Sequence, residues 1–327
     1  MAVVFVLGGG GAIGAFQSGA LLALAEAGVV PDALVACSAG ALNAAFYGAD
    51  PSPARARALV RFWRAPESHA VLAPSLLSRF RGVPNFVRNG DSLLDPRPLR
   101  AMLGRSLDAH DLRELAVPLT VTTTCLDCAD AVHHRQGPLL ETLLASCALP
   151  GLLPPVVLPD GHLHVDGGVV CGVPVQAALD TAGPDDTVLV LDAGLAPVTG
   201  APGRCAAQGV GGACGLPVRN SRPYAAPAER APNPLVEVVL RAFTVARAAA
   251  NKASVHSALR DPRVRVLPHV ADAWAAGLLQ TMPTGPRDFE RTADLVVAGH
   301  SATREWLTFG GLAQSAFLRQ ETDHPAV

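Results

Sequence analysis

The chain is expected to form a three-layer α/β/α structure around a central, mostly parallel sheet. Three features lead there. Short apolar runs of strand length recur at Val3–Leu7, 34–37 and Thr187–Leu191, without the polar alternation of a half-exposed strand. Small-residue turns close the first two runs, Gly8 to Gly11 and Ser38-Ala39-Gly40. A helix-length segment follows each turn, and repeated strand, turn and helix calls for parallel pairing with helices on the sheet faces.

Taken in order, Val3–Leu7 is the first buried strand, and 12–27 is a helix. Leu21, Leu22 and Leu24 lie on or near its inner face, and Gly28 stops it. Residues 34–37 form a second strand and 39–47 an alanine-rich helix. Residues 54–104 are mainly helical, interrupted by prolines at 74, 84, 96 and 98. Leu119–Cys125 is β-branched and strand-like. A helix over 139–148 ends at Pro150-Gly151, and a strand over 163–165 leads into Asp166. Residues 196–234 are dense in Gly, Pro, Ala and Arg without periodicity, which predicts a long loop able to act as a lid. An amphipathic helix near 235–259, a strand at 264–267 and a helix near 289–307 follow. The expected organisation is a catalytic core over 1–195, the loop over 196–234, a segment over 235–310 completing the same domain, and a tail over 311–327.

With 327 residues, 50% hydrophobic and 17% charged, the chain can bury a large core. A formal net charge of −2 gives no reason to expect nucleic acid as a partner. All but one of the 26 basic residues are arginine, the exception being Lys252. Phosphate recognition is one reading of that bias; genomic composition is the other, and the abundance of Ala, Gly and Pro favours it. Seven cysteines, an odd number in apolar contexts, suggest reduced thiols and a cytoplasmic location. Cys125-x-x-Cys128 has no second Cys or His pair at zinc spacing, so it reads as structural and no metal is expected. The N-terminus lacks the charged region of a signal peptide and reads as a core strand. No run reaches the ~18–20 apolar residues that span a bilayer.

The chemistry lies in three segments. Ser38 sits on a strand-to-helix turn with Ala36 and Gly40 two residues to either side, the small residues a nucleophile elbow needs. Alone, Ala-x-Ser-x-Gly is also the pattern of an ordinary helix N-cap. The glycine loop fits a dinucleotide fingerprint in spacing, but Asp32 precedes the second strand where an acidic residue should end it. No Gly-Lys-Ser/Thr closes a P-loop. The same glycines can serve as an oxyanion hole, with Gly9, Gly10, Gly11 and Ala12 bringing backbone N–H groups close to a developing negative charge. Asp166, followed by Gly167 and Gly168, ends a strand where a carboxylate can act as base on the serine. His133-His134 reads as a solvated strand end, and Ser18 and Ser146 as packing residues in helices.

Together these residues resemble the patatin-like phospholipase family. Its glycine loop, Gly-x-Ser-x-Gly and Asp-Gly-Gly/Ala elements are matched by 9–14, 36–40 and 166–168. Residues 145–155, Gly168-Val169-Val170 and Val173-Pro174-Val175 extend the likeness, which runs from 3 to about 192 and more weakly over 298–307. The resemblance implies Ser38 as nucleophile, Asp166 as general base and hydrolysis of lipid esters through an acyl-enzyme, without metal or cofactor. It implies a lipid or small acyl-ester substrate and transient contact with a membrane surface. The apolar segment 151–158 and the 196–234 loop are expected to flank the acyl pocket. Three positions depart from the family pattern: Ala36 replaces glycine, Ile13 a common cation, and Cys171 a frequent asparagine. An acyltransferase using the same acyl-enzyme and an inactive lipid-binding scaffold are the alternatives.

Overall fold

The computed structural model describes residues 1–72, 92, 94–194, 234–280 and 289–312, and of residues 234–241 and 244 only the backbone. Eight strands within this part make one sheet: β1 (Val3–Leu7), β2 (Ala33–Cys37), β3 (Leu119–Cys125), β4 (Asp130–His134), β5 (Val156–Val157), β6 (Leu163–Asp166), β7 (Thr187–Leu191) and β8 (Val264–Val266). Their order is β5-β6-β3-β2-β1-β7-β8, with β4 paired to β3 off that path. β3, β2, β1, β7 and β8 are parallel to one another; β4 and β6 run antiparallel to β3. The α/β class with a mostly parallel sheet is what the chain adopts.

Helices cover both faces. They are α1 (Gly14–Glu26), α2 (Ala39–Gly48), α3 (Pro53–Arg64), α4 (Pro66–Leu72), α5 (Arg97–Ser106), α6 (Leu139–Ser146), α7 (Val175–Leu179), α8 (Pro234–Ala258), α9 (Val270–Ala275) and α10 (Thr292–Thr308). Along β1, Phe5 and Leu7 enter the core shared with α1, α2, α3, α5, α6 and α10, while Val4 and Val6 enter a second core with α7 and α8. β7 divides the same way, Leu189 and Leu191 against Val188 and Val190. Burial on both faces explains why these strands carry no polar alternation.

Some elements differ from expectation. The helix expected over 12–27 opens with a 3₁₀ turn, Gly11–Ile13, and α1 proper begins at Gly14. α9 has no usual N-cap residue: His269 Nδ1 accepts the Ala271 N–H at 3.1 Å and Asp272 accepts the His269 N–H at 2.8 Å. β5 is two residues long, too short for any period to show. The expected 196–234 loop, all but its last residue, and the tail from 313 lie outside the described residues. No helix among those described is long and apolar enough to cross a membrane.

The sheet positions the site through one strand. β4 pairs with β3 over Val121 to Cys125, so it fills one edge of that stretch. β2 and β6 must therefore share the other edge of β3, β2 over its first part and β6 over its last. They run in opposite directions and meet head to head, Cys37 opposite Thr122 and Asp166 opposite Thr123. Two strand ends, far apart in sequence, abut at one backbone step.

Candidate active site

Ser38 leaves β2 with φ 54 and ψ −126, backbone angles that cost a non-glycine residue about 1–3 kcal/mol. Two groups hold it there. Its N–H donates to Ser146 Oγ at 2.8 Å, and Ser146 Oγ donates to the Thr122 carbonyl at 2.7 Å. Behind the turn, α2 starts against β1 so closely that a Cβ on Gly40 would meet the Leu7 carbonyl oxygen. Ala36 is different: its methyl is buried in the core beneath α1 and α2, and the strand accommodates it.

Ser38 Oγ donates to Asp166 Oδ2 at 2.6 Å. Asp166 Oδ1 accepts the Gly168 N–H at 2.7 Å and has a longer contact, 3.9 Å, from Cys37 Sγ. The carboxylate is only 2% exposed. Burial pushes its pKa up; the positive charge of Arg247, then the bonds from Ser38 and Gly168, pull the other way. A desolvated carboxylate one hydrogen bond from a hydroxyl is a stronger base than one in water and can take its proton directly. Gly167 marks the seam between the strands, since a Cβ there would lie 2.5 Å from the Thr122 oxygen and 2.9 Å from Cys37 Sγ.

The glycine loop lies alongside. A Cβ on Gly9 would come within 2.9 Å of Ser38 Cβ, and one on Gly10 would strike the Ala193 carbonyl. Gly11 has φ +59, which favours glycine. The Gly9 N–H donates to the Gly172 carbonyl at 2.8 Å. Among the described residues nothing accepts the N–H groups of Gly10, Gly11 and Ala12, the orphan donors of a helix start. Such donors can hold an oxyanion. A buried polar chain fixes this loop: Trp63 Nε1 donates to Asn43 Oδ1 at 2.6 Å, Asn43 Nδ2 to Gln17 Oε1 at 3.0 Å, and Gln17 Nε2 to the carbonyls of Gly8 and Leu191 at 2.9 and 2.7 Å.

A model of the patatin-like phospholipase family matches residues 5–179, more than half of the chain. The chain belongs to this family. It is similar to patatin-like phospholipase domain-containing protein 6 of Homo sapiens, 31% identical over 193 residues, 59% of this chain and 13% of that one. It is also similar to neuropathy target esterase sws of Drosophila melanogaster, 28% identical over 195 residues, 56% of this chain and 13% of that one. The chain thus spans about an eighth of the length of these curated relatives. Among solved structures it is similar to VipD from Legionella pneumophila, at 14% identity and a TM-score of 0.44, covering 94% of this chain and 67% of that one.

For a patatin-like phospholipase, the remaining polar residues sort themselves by contact. His133 Nδ1 pairs with Thr122 Oγ1 at 3.0 Å and His134 Nε2 with Thr123 Oγ1 at 2.7 Å, so these rings are bound to β3 and the hydrogen bond of Ser38 Oγ goes to Asp166. His133 stands exposed at the strand end and His134 is half-buried; desolvation lowers both pKa values, that of His134 to about 4. Burial, then the charge of Asp166, keeps the Cys37 and Cys147 thiols far from ionising. Cys171 is pushed up to about 11 by burial. Ser18 Oγ donates to the Ala15 carbonyl within α1. Ser146, read from sequence as packing, holds the Ser38 backbone. Ile13 is 1% exposed and belongs to the core, so no substrate group meets it. The cation at this site comes instead from α8, where the Arg247 side chain reaches the space a Cβ on Gly168 would occupy. A helix assigned only by periodicity carried no signal that one of its arginines faces Asp166.

Proposed function

We propose that the protein hydrolyses carboxylic esters of lipids through an acyl-enzyme on Ser38, with Asp166 as the general base. The observation that carries this is the 2.6 Å hydrogen bond from Ser38 Oγ to a buried carboxylate, made at a strained turn. Ser38 Oγ attacks the acyl carbon as its proton passes to Asp166, and the oxyanion accepts N–H bonds from Gly10, Gly11 and Ala12. Collapse expels the alcohol, which takes the proton from Asp166. Water then attacks the acyl-enzyme, giving its proton to Asp166, which passes it to Ser38 Oγ as the acid leaves. One surface favours an apolar substrate. Val169 and Val170 stand exposed just beyond Gly168, next to α8 with its exposed Val245, and supply an apolar rim for contact with a lipid surface.

Ser38→Ala tests the reading. It should abolish hydrolysis of p-nitrophenyl and phospholipid esters and labelling by a fluorophosphonate, with unchanged circular dichroism. Turnover retained within a few-fold would overturn it.

A further inference from the structure

The Cys125-x-x-Cys128 pair takes no part in the ester chemistry, yet the fold adds a third partner to it. Cys125 is buried at the end of β3, Cys128 is exposed in the turn to β4, and partly exposed His162 lies in the turn before β6. The two sulfurs and one ring nitrogen all lie within 4.8 Å of one another. β3 and β6 bring them together as antiparallel neighbours, with Cys125 opposite His164.

We propose that Cys125, Cys128 and His162 bind a divalent transition metal of the zinc class. Thiolate and imidazole donors select such a borderline-soft ion over magnesium or calcium. A tetrahedral zinc site places its sulfur and nitrogen ligands about 3.4–3.8 Å apart, from bonds of about 2.3 Å to sulfur and 2.0–2.1 Å to nitrogen. Small rotations of the two outer side chains close the remaining gap.

The backbone is already arranged for it. The Cys128 N–H donates to Cys125 Sγ at 3.1 Å, a bond that fixes the second cysteine beside the first. Ala129, directly after Cys128, has φ 55, a left-handed step that turns the chain from Cys128 into β4. Asp127 Oδ2 accepts the Leu163 N–H at 2.8 Å and lies 3.4 Å from His162 Nδ1, tying the two turns together and orienting the imidazole. The fourth position faces solvent and takes a water. Binding gives two metal–sulfur bonds and one metal–nitrogen bond, and the two thiol protons go to solvent. The ion then clasps the β3–β4 turn to the strand that ends in Asp166, at the opposite end of that strand from the seam.

The test uses the full chain, reduced and stripped of metal by a chelator, titrated with Co²⁺ and then Zn²⁺. Wild type should take up one equivalent of cobalt with a thiolate-to-metal charge-transfer band and the strong visible bands of a tetrahedral site. Zinc should displace it and raise the melting temperature. Cys128→Ser, at an exposed turn position, should lower zinc affinity about tenfold or more and weaken the charge-transfer band. His162→Gln should weaken affinity about tenfold or more while keeping that band. Absence of the band in the reduced wild type would overturn the proposal. So would zinc affinity within twofold of wild type in the Cys128→Ser/His162→Gln double variant.

Discussion

The turn after β2 and the turn after β6 meet at the same step of β3, yet they are held by different means. Ser38 is positioned largely by neighbours in sequence: a short strand, a small-residue turn and α2 packed tightly over β1. Asp166 is positioned by a distant partner strand, being opposite Thr123, and by electrostatics, since its carboxylate is buried with Arg247 from α8 nearby. The first end stores backbone strain and the second stores a desolvated charge. Both are unfavourable for folding in isolation, and both place reactive groups where water would otherwise leave them weak.

The largest effect should come from separating those two kinds of storage. Asp166→Asn should slow ester hydrolysis by ~10²–10⁴, the range for loss of a general base. At neutral pH it should leave the melting temperature equal or higher, because it removes a buried charge. The sign follows from the raised pKa: folding disfavours the ionised carboxylate, so the penalty exists above the folded pKa and fades as pH falls through it. The gain in stability of Asp166→Asn should therefore shrink toward acid pH. Thermal melts across pH check this, and a strongly destabilised variant at neutral pH would show that the carboxylate's hydrogen bonds outweigh its desolvation.

The strained end should respond in the opposite way. Ser146→Ala leaves the Ser38 N–H without its acceptor and removes the donor to the Thr122 carbonyl. That should cost about 1–3 kcal/mol of stability, the penalty for an unsatisfied buried group. Turnover should fall together with stability, read by kcat and by urea unfolding of the same preparations. If kcat is unchanged, Ser146 does not hold the elbow.

The smallest effect tests the charge at a distance. With Asp166 as the proposed general base, the rate should fall as pH drops through its raised pKa. Arg247→Gln removes a charge that lowers that pKa, and the acid limb of the kcat/KM profile should move to higher pH with little change at its plateau. A limb that stays in place would remove Arg247 from the site.

Six of the eight described strands, the turn at Ser38, the glycine loop and the Asp-Gly-Gly turn were legible in the sequence, and each for a local reason. A doubly buried strand must be apolar throughout, and a backbone that passes close to another needs a residue without a Cβ, as Gly40 and Gly167 do. Such demands act within a few residues, so they appear as short patterns. Tertiary structure decided the rest. Ser146 becomes the acceptor for Ser38 only when α6 docks beside β2 and β3. Gln17, Asn43 and Trp63 form a chain only when α1, α2 and α3 pack together. Ile13 turns into the core while Arg247 supplies the cation, and His162 joins Cys125 and Cys128 across an antiparallel pair. In each case the partner lies on another element, and a hydrogen bond or a charge contact between elements leaves no period in either sequence. A residue's type limits what it can bond to; the packing of distant elements decides which of those bonds it makes.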